Sequence, residues 1–289
     1  MARVGWRSAA PLGSLLLDVY SVATAAYSLR KIRTAYTGNA ITVRRSSDNT
    51  SQDIGFDKDG NLDTVSLLLH VGSGNGFVTI WYDQSGNNKH VVQTTAASQP
   101  KIVNAGSVMT KNGKPAIDFT WGQFLRAEQR VIGVSQTSLF NVFSIKSLTD
   151  RNFAWDIGNS YGNQYFAFDI NTWGTSGQKF GFYASGAGFD STASTNLNQN
   201  LISIIANNAW SNNVKANTSY YINNTLRTLT NSTTVYPDYS NAGRISIGNL
   251  NGENYYFNGT HQEFIIYPVN QTTNRSAIES NINSYYSIY

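Results

Sequence analysis

The sequence predicts an all-β chain, an antiparallel sandwich with a short helix near the start and another at the end. Three observations carry this. From Phe77 onward, apolar and aromatic runs recur at spacings of roughly 8–20 residues, punctuated by Gly, Asn and Ser. Some runs alternate, as in Tyr165-Phe166-Ala167-Phe168, which suits a strand with one face in solvent. Others are solidly apolar, as in Leu201 to Ala206, which suits a strand buried on both faces. Hydrophobic residues make up 40% and aromatics 13% of the 289 residues, enough for one large core.

Residues 1–17 read as an attachment arm: Arg3, Trp6 and Arg7 are followed by Pro11 and Gly13. Residues 18–289 show no repeat and no linker and read as one domain. Ser21 to Ile32 predicts a helix, because Ala23, Ala25, Ala26 and Leu29 are good formers and Ser21 suits a cap. Arg30, Lys31 and Arg33 then fall on its solvated face. Ile41 to Arg44 predicts a strand, and 46–63 a polar loop. Asp63 predicts the cap of a helix from Thr64 to Val71, closed by Gly72. Strands are expected at Phe77–Tyr82, His90–Gln93, Lys101–Val103, Ala116–Phe119, Leu139–Ile145, Asn152–Ile157, Gln164–Ile170, Lys179–Ala184, Leu201–Ala206, Thr218–Ile222, Arg244–Ile247 and Thr260–Tyr267. Thr272 to Tyr286 is expected to be helical, with Ala277, Ile278, Ile282 and Tyr285 on one stripe.

Composition narrows the function classes. Charged residues are only 13%, and the net charge is +4. No dense basic patch with interleaved aromatics is present, so no nucleic-acid partner is expected. No apolar run approaches the ~18 residues of a membrane span. Leu15-Leu16-Leu17 is too short for the apolar core of an export signal, about 7–15 residues. The absence of cysteine suits assembly in a reducing compartment.

Candidate chemistry is sparse. Asp57 to Asp63 spaces oxygen atoms two apart, but Gly60 is fourth and Leu68 twelfth, so a turn plus a helix cap is expected rather than a calcium loop. No metal or cofactor is expected. The histidines His70, His90 and His261 have no nucleophile elbow or HExxH spacing near them, and His70 reads as a core residue. Asp83 is expected to close a turn by accepting backbone amides, and Glu263, on a dense apolar strand, to be a satisfied structural carboxylate.

Three segments carry a family resemblance: AYSLRKIRTAYTG from Ala26, ITVRRSSDNTSQDI from Ile41, and VTIWYDQSGNNKHVVQ from Val78. Their order and spacing resemble the catalytic domain of the fungal α-L-arabinofuranosidase B family, a concanavalin A-like sandwich. The match is good over residues 20–120. Later it is limited to Trp173-Gly174-Thr175 and to Ile247 through Pro268. The resemblance implies a retaining mechanism with a Glu nucleophile, an Asp acid/base and a sugar-stacking Trp at Trp173. Near the nucleophile position this chain has Gly188, and near the acid/base position Asn249. An Asn cannot cycle a proton.

The resulting expectation is a non-enzyme that binds sugar through Trp173, Asn249, Asn251 and Asp169. The alternative is an active arabinofuranosidase-type glycoside hydrolase using Asp190 and Glu253, or a purely structural building block. The same segments are similar to modules of bacteriophage virion proteins. That likeness implies a tail or head fibre, spike or decoration protein located in the virion, or else extracellular. Its partners would be a host-surface glycan, other virion proteins docking on residues 1–17, and further copies of itself, a trimer being favoured.

Overall fold

The structure, a computed structural model, describes residues 14–129, 131, 136–147, 152–159, 164–170, 179–184, 187–207, 216–229, 244–250 and 255–289. It is a β-sandwich of two antiparallel sheets. In the longer sheet the strands run, neighbour to neighbour, Ser51–Ile54, Ile41–Arg45, Gly76–Trp81, Val91–Val92, Leu125–Ala127, Ile245–Ile247, Asn152–Asn159, Gln164–Ile170, Lys179–Ala184 and Ala187–Ser194. In the second sheet Ala25–Ser28 and Ile117–Phe119 pair with Gly259–Tyr267, which pairs with Gln136–Ile145. Asn200–Asn207, Thr218–Ile222 and Thr225–Arg227 follow. Lys101–Asn104 pairs with both Gly76–Trp81 and Ile117–Phe119 and so joins the two sheets.

The core lies between the sheets. Trp155 and Phe168 from the long sheet meet Phe264, Phe143 and Tyr220 from the other, with ring centroids 5.2 Å apart for Trp155–Phe264 and for Phe143–Phe168. A second apolar layer covers the outer face of the second sheet. There Ile278, Ile282 and Tyr286 of the helix Arg275–Tyr286 pack on Phe140, Val142, Leu201, Ile205 and Ile265. All nine residues of Gly259–Tyr267 are therefore buried, as are the first seven of Asn200–Asn207. Leu16 and Leu17, from the short helix Leu16–Val19 at the end of the expected arm, are buried in the same layer. Residues 1–13, Trp6 included, lie outside the described residues.

Several expectations are corrected. Residues 25–28 form a strand, not part of a helix. Ala25 to Ser28 pair with Ile266 to Glu263, and all four are buried. Helix propensity is a weak prior, and pairing beside a fully buried strand overrides it. Arg30 is consequently not on a solvated face. It is buried, and its Nε and Nη2 donate to Glu263 Oε2 at 2.8 Å and Oε1 at 3.0 Å. Ser28 Oγ donates to the same carboxylate at 2.7 Å, and Tyr286 Oη at 3.3 Å. Glu263 is thus the satisfied structural carboxylate expected. On the last helix, Tyr286 rather than Tyr285 is the fully buried ring.

Other local readings hold. Asp63 Oδ1 accepts from Ser66 N at 3.0 Å, and Gly72, at φ +65°, ends the helix Thr64–Val71. Asp57 accepts the amides of Asp59 and Asn61, making the turn expected there. His70 is buried, with Nε2 3.0 Å from Val43 O. Asp83 is buried and accepts backbone amides from Ala26, Ser85 and Lys89 at 2.8, 2.8 and 3.0 Å, so the turn also clamps the edge strand.

Two predictions follow from the core. Removing either half of the buried ion pair leaves an uncompensated charge, so Glu263→Gln or Arg30→Met should each cost about 3–5 kcal/mol. Replacing both should cost less than the sum, as read by denaturant unfolding. The second concerns His261, which is buried between Asn141 Nδ2 and Ala154 O, at 3.2 and 3.0 Å. Burial pushes its pKa down from 6.5 to about 3. The unfolded chain takes up that proton near pH 6.5 and the folded chain does not. Stability is therefore complete above about pH 6.5 and falls toward pH 3, by up to about 1.4 kcal/mol per pH unit from this ring. A thermal-unfolding series from pH 7 to pH 4 should show that slope, and it should be shallower in His261→Gln.

Candidate functional site

The pleat sorts residues of the long sheet into two sets. Ile245, Ile247, Leu125, Ala127, Trp155 and Ile157 face the core. Residues between them face outward, and pairing places them in register. Arg126 pairs with Ser246, Ser246 with Asp156, Asp156 with Ala167, Ala167 with Tyr183, and Tyr183 with Gly188. A second row runs beside it: Phe153 with Asp169, Asp169 with Gly181, Gly181 with Asp190. Directly paired residues stand opposite one another in a sheet, so register sets Asp169 and Asp190 on one row, beside the row of Asp156. Asp169 and Asp190 flank Gly181, which carries no side chain. Residues two strands apart on one row stand roughly 9–10 Å apart, Cα to Cα.

The segment after Ile247 closes over this face. Gly248, at φ +99°, donates its amide to Ala154 O at 2.9 Å. A Cβ there would sit 2.5 Å from the Phe119 ring and 2.8 Å from Gln123 O, so only glycine fits. Asn249 is 2% exposed, and its Oδ1 accepts the Ser246 hydroxyl. The side chain is thus tied into the floor of the face. Leu250 packs on Phe153 and Ala167, which brings the chain to the Asp169 row. Trp173, Asn251 and Glu253 lie outside the described residues. Asp169 and Asp190 are placed by their strands alone.

At one side of the face Arg126 and Arg244 stand with Glu128 and Asp156. Arg126 is half-buried, and burial, reinforced by the like charge of Arg244, lowers its pKa; Glu128 and Asp156 pull the other way. Arg126 also lies over the Phe124 ring, 4.8 Å from its centroid. Among the described residues, no group of three or more His, Cys, Asp or Glu side chains could hold a metal ion.

Sequence reasoning missed an aromatic pair at the edge of this face. Trp121 is 53% exposed and meets Tyr256 edge-on at 6.4 Å. Tyr256 in turn bridges Asn249 by backbone pairing. Trp121 sits in Thr120-Trp121-Gly122, a turn between two short strands. An exposed Trp in a glycine-flanked turn was the available signal.

No family model matches this chain, and no curated protein matches it in sequence. Solved structures do match it in fold. An arabinofuranosidase complexed with arabinofuranosyl-α-1,2-xylobiose aligns at 20% identity with a TM-score of 0.68, over 93% of this chain and 64% of that one. A GH54 α-L-arabinofuranosidase soaked with a cyclic sulfate inhibitor aligns at 19% identity, with the same TM-score and coverage. A mutant GH54 α-L-arabinofuranosidase soaked with 4-nitrophenyl α-L-arabinofuranoside aligns at 20%, again with a TM-score of 0.68 and the same coverage. This chain therefore spans a little under two thirds of the length of those proteins. The likeness shows the arabinofuranosidase-type sandwich fold.

The expectation of a non-enzyme is overturned by that finding: the three structures named above, which share this fold across 93% of the chain, are arabinofuranosidases. The expectation rested on two positions, Gly188 and Asn249, each reached by counting along the sequence. Sheet register, rather than the count, sets which residues share a row. Asp169 and Asp190 share one through Gly181, next to the row of Gly188.

If Trp121 is a contact platform, Trp121→Ala should weaken retention on an arabinose-containing polysaccharide severalfold in affinity electrophoresis. Its melting temperature should move little, because an exposed ring contributes little to the core. Unchanged retention would remove Trp121 from the site.

Proposed function

We propose that this chain is an arabinofuranosidase-type glycoside hydrolase acting on the outer face of its long sheet. The observation that carries the reading is the row Asp169–Gly181–Asp190 on a fold shared with arabinofuranosidases. Glycosidases work with two carboxyl groups, about 5–5.5 Å apart in retaining enzymes and 6.5–9.5 Å in inverting ones. One protonates the leaving oxygen, and the other attacks the sugar or activates water. Two aspartates on one row, with a glycine between them, supply the residue types. Asp190 and Asp169 are the first candidates, and Glu253, three residues beyond Leu250 in the sequence, is the third. Trp173 and Trp121 are the candidate stacking rings.

A place in a virion, with residues 1–17 docking on another virion protein and a host glycan as substrate, is proposed with it on sequence grounds. A chain without cysteine suits such an assembly, and a fibre that cleaves the glycan it meets is consistent with both readings.

The purified chain should release 4-nitrophenol from 4-nitrophenyl α-L-arabinofuranoside. Asp190→Asn and Asp169→Asn should each reduce kcat by about 10²–10⁴-fold with unchanged melting temperature. Absence of turnover in the parent chain across a panel of aryl furanosides, or full activity in both variants, would contradict the assignment.

A further inference from the structure

The outer face of the long sheet carries a second feature at its other end. A cleft of about 420 Å³ opens between the loop 33–39 and the turn after Trp81, with Tyr36, Tyr82 and His90 among its walls. The sheet links it to the first site. Thr42 and Ile80 are paired, and Ile80 pairs with Val92, which pairs with Arg126 on the Asp156 row. Thr42 Oγ1 donates to Tyr82 Oη at 3.0 Å, which puts the Tyr82 ring on that same face. From Gly76–Trp81 to the strand bearing Asp169 is five strand spacings, roughly 24 Å.

All three rings are held in place. Tyr36 Oη donates to Asn39 O at 2.8 Å, and its ring meets Phe56 edge-on at 6.4 Å. Tyr82 Oη donates to Asp53 Oδ1 at 3.1 Å. His90 packs edge-on against Tyr82 at 4.8 Å. The amide of Asp83 donates to His90 Nδ1 at 3.0 Å, so Nδ1 is the bare nitrogen and Nε2 carries the proton. Two glycines lie close against these side chains. A Cβ on Gly38 would lie 2.6 Å from Tyr36 Oη, and one on Gly86 2.5 Å from Arg33 Nη1. Arg33 Nη1 donates to Ser85 O, so the one cation in the wall is tied to backbone.

We propose that this cleft binds a neutral sugar unit of a polysaccharide, a remote subsite for a chain whose cleavable residue lies at the Asp169–Asp190 row. The subsite role rests on the hydrolase reading; the binding rests on the cleft alone. Rigid rings offer apolar area to the C–H face of a sugar at little entropic expense. The amides of Asn39 and Asn88 and the Nε2–H of His90 offer hydrogen bonds to hydroxyls. Among the described residues the lining holds no carboxylate, Asp53 beside it being bound by Tyr82 Oη, and one nitrogen of its guanidinium is held by Ser85 O. The chemistry therefore selects a neutral polyol over an anion or a cation. It also sets the substrate class as a polymer, since a short glycoside cannot span both sites.

The test uses the full chain with soluble arabinoxylan, 4-nitrophenyl α-L-arabinofuranoside and polygalacturonate. Tyr36→Ala and Asn88→Ala should each weaken arabinoxylan binding, Tyr36→Ala by about tenfold, equivalent to 1.4 kcal/mol. Tyr36→Phe should retain binding, because the ring remains. Turnover of the aryl glycoside should be unaffected in all three, while KM for the polymer rises and kcat does not. If Tyr36→Ala unfolds the chain, Asn88→Ala, at an exposed turn position, carries the test. Arabinoxylan binding unchanged in the folded variants, or no binding by the parent chain, overturns the proposal. Binding of polygalacturonate alone overturns the choice of a neutral sugar. Loss of polymer binding in the variants of a chain that turns over no aryl glycoside supports the cleft and removes the hydrolase reading.

Discussion

A carboxylate on a strand with no exposed residue has few stable arrangements. Glu263 sits in the middle of Gly259–Tyr267, buried along its whole length, where an unpaired charge would be prohibitive. Arg30 meets it with two hydrogen bonds, and Ser28 and Tyr286 satisfy the remaining lone pairs. That one group fixes several things together. It sets the register of Ala25–Ser28 against the central strand, because Ser28 pairs with Glu263 itself. It also orders the last helix, since Asn281 accepts from the same guanidinium, and Tyr285 lies 5.0 Å from its centre. The outer face of the second sheet is closed by this arrangement, leaving the outer face of the long sheet as the one with two candidate sites.

Register orders the long sheet. Asp156, Asp169 and Asp190 come from three strands, and pairing sets them on two neighbouring rows. Gly181 stands between two of them, and the Gly248–Leu250 turn closes one side. Aromatic rings stand at the margins: Trp121 with Tyr256 at one edge, Tyr36 with Tyr82 at another.

Much of the fold was legible in the sequence because the signals were local. Asp63 and Gly72 bracketed a helix by capping chemistry alone. The apolar run at Leu201–Ala206 announced a strand covered on both faces. Asp83 was readable as a turn residue, though its bond to Ala26, 57 positions away, was not. The failures were non-local. Ala25 and Ala26 favour a helix in isolation, and a buried neighbour made them a strand. Ser51–Ile54 was read as loop because its first three residues are polar and exposed, as an edge strand allows. The carboxylate row was invisible for the same reason. Asp169 and Asp190 are 21 positions apart in sequence, and counting from Trp173 pointed to Gly188, on the neighbouring row.

The central claim is that hydrolysis takes place over Gly181, between Asp169 and Asp190. A crystal of the Asp190→Asn chain soaked with 4-nitrophenyl α-L-arabinofuranoside tests it most directly. The account predicts an intact arabinofuranoside seated on the outer face of the long sheet, its glycosidic oxygen between residues 169 and 190. A sugar bound elsewhere, or a face whose aspartates are sealed from the ligand by neighbouring side chains, would contradict it.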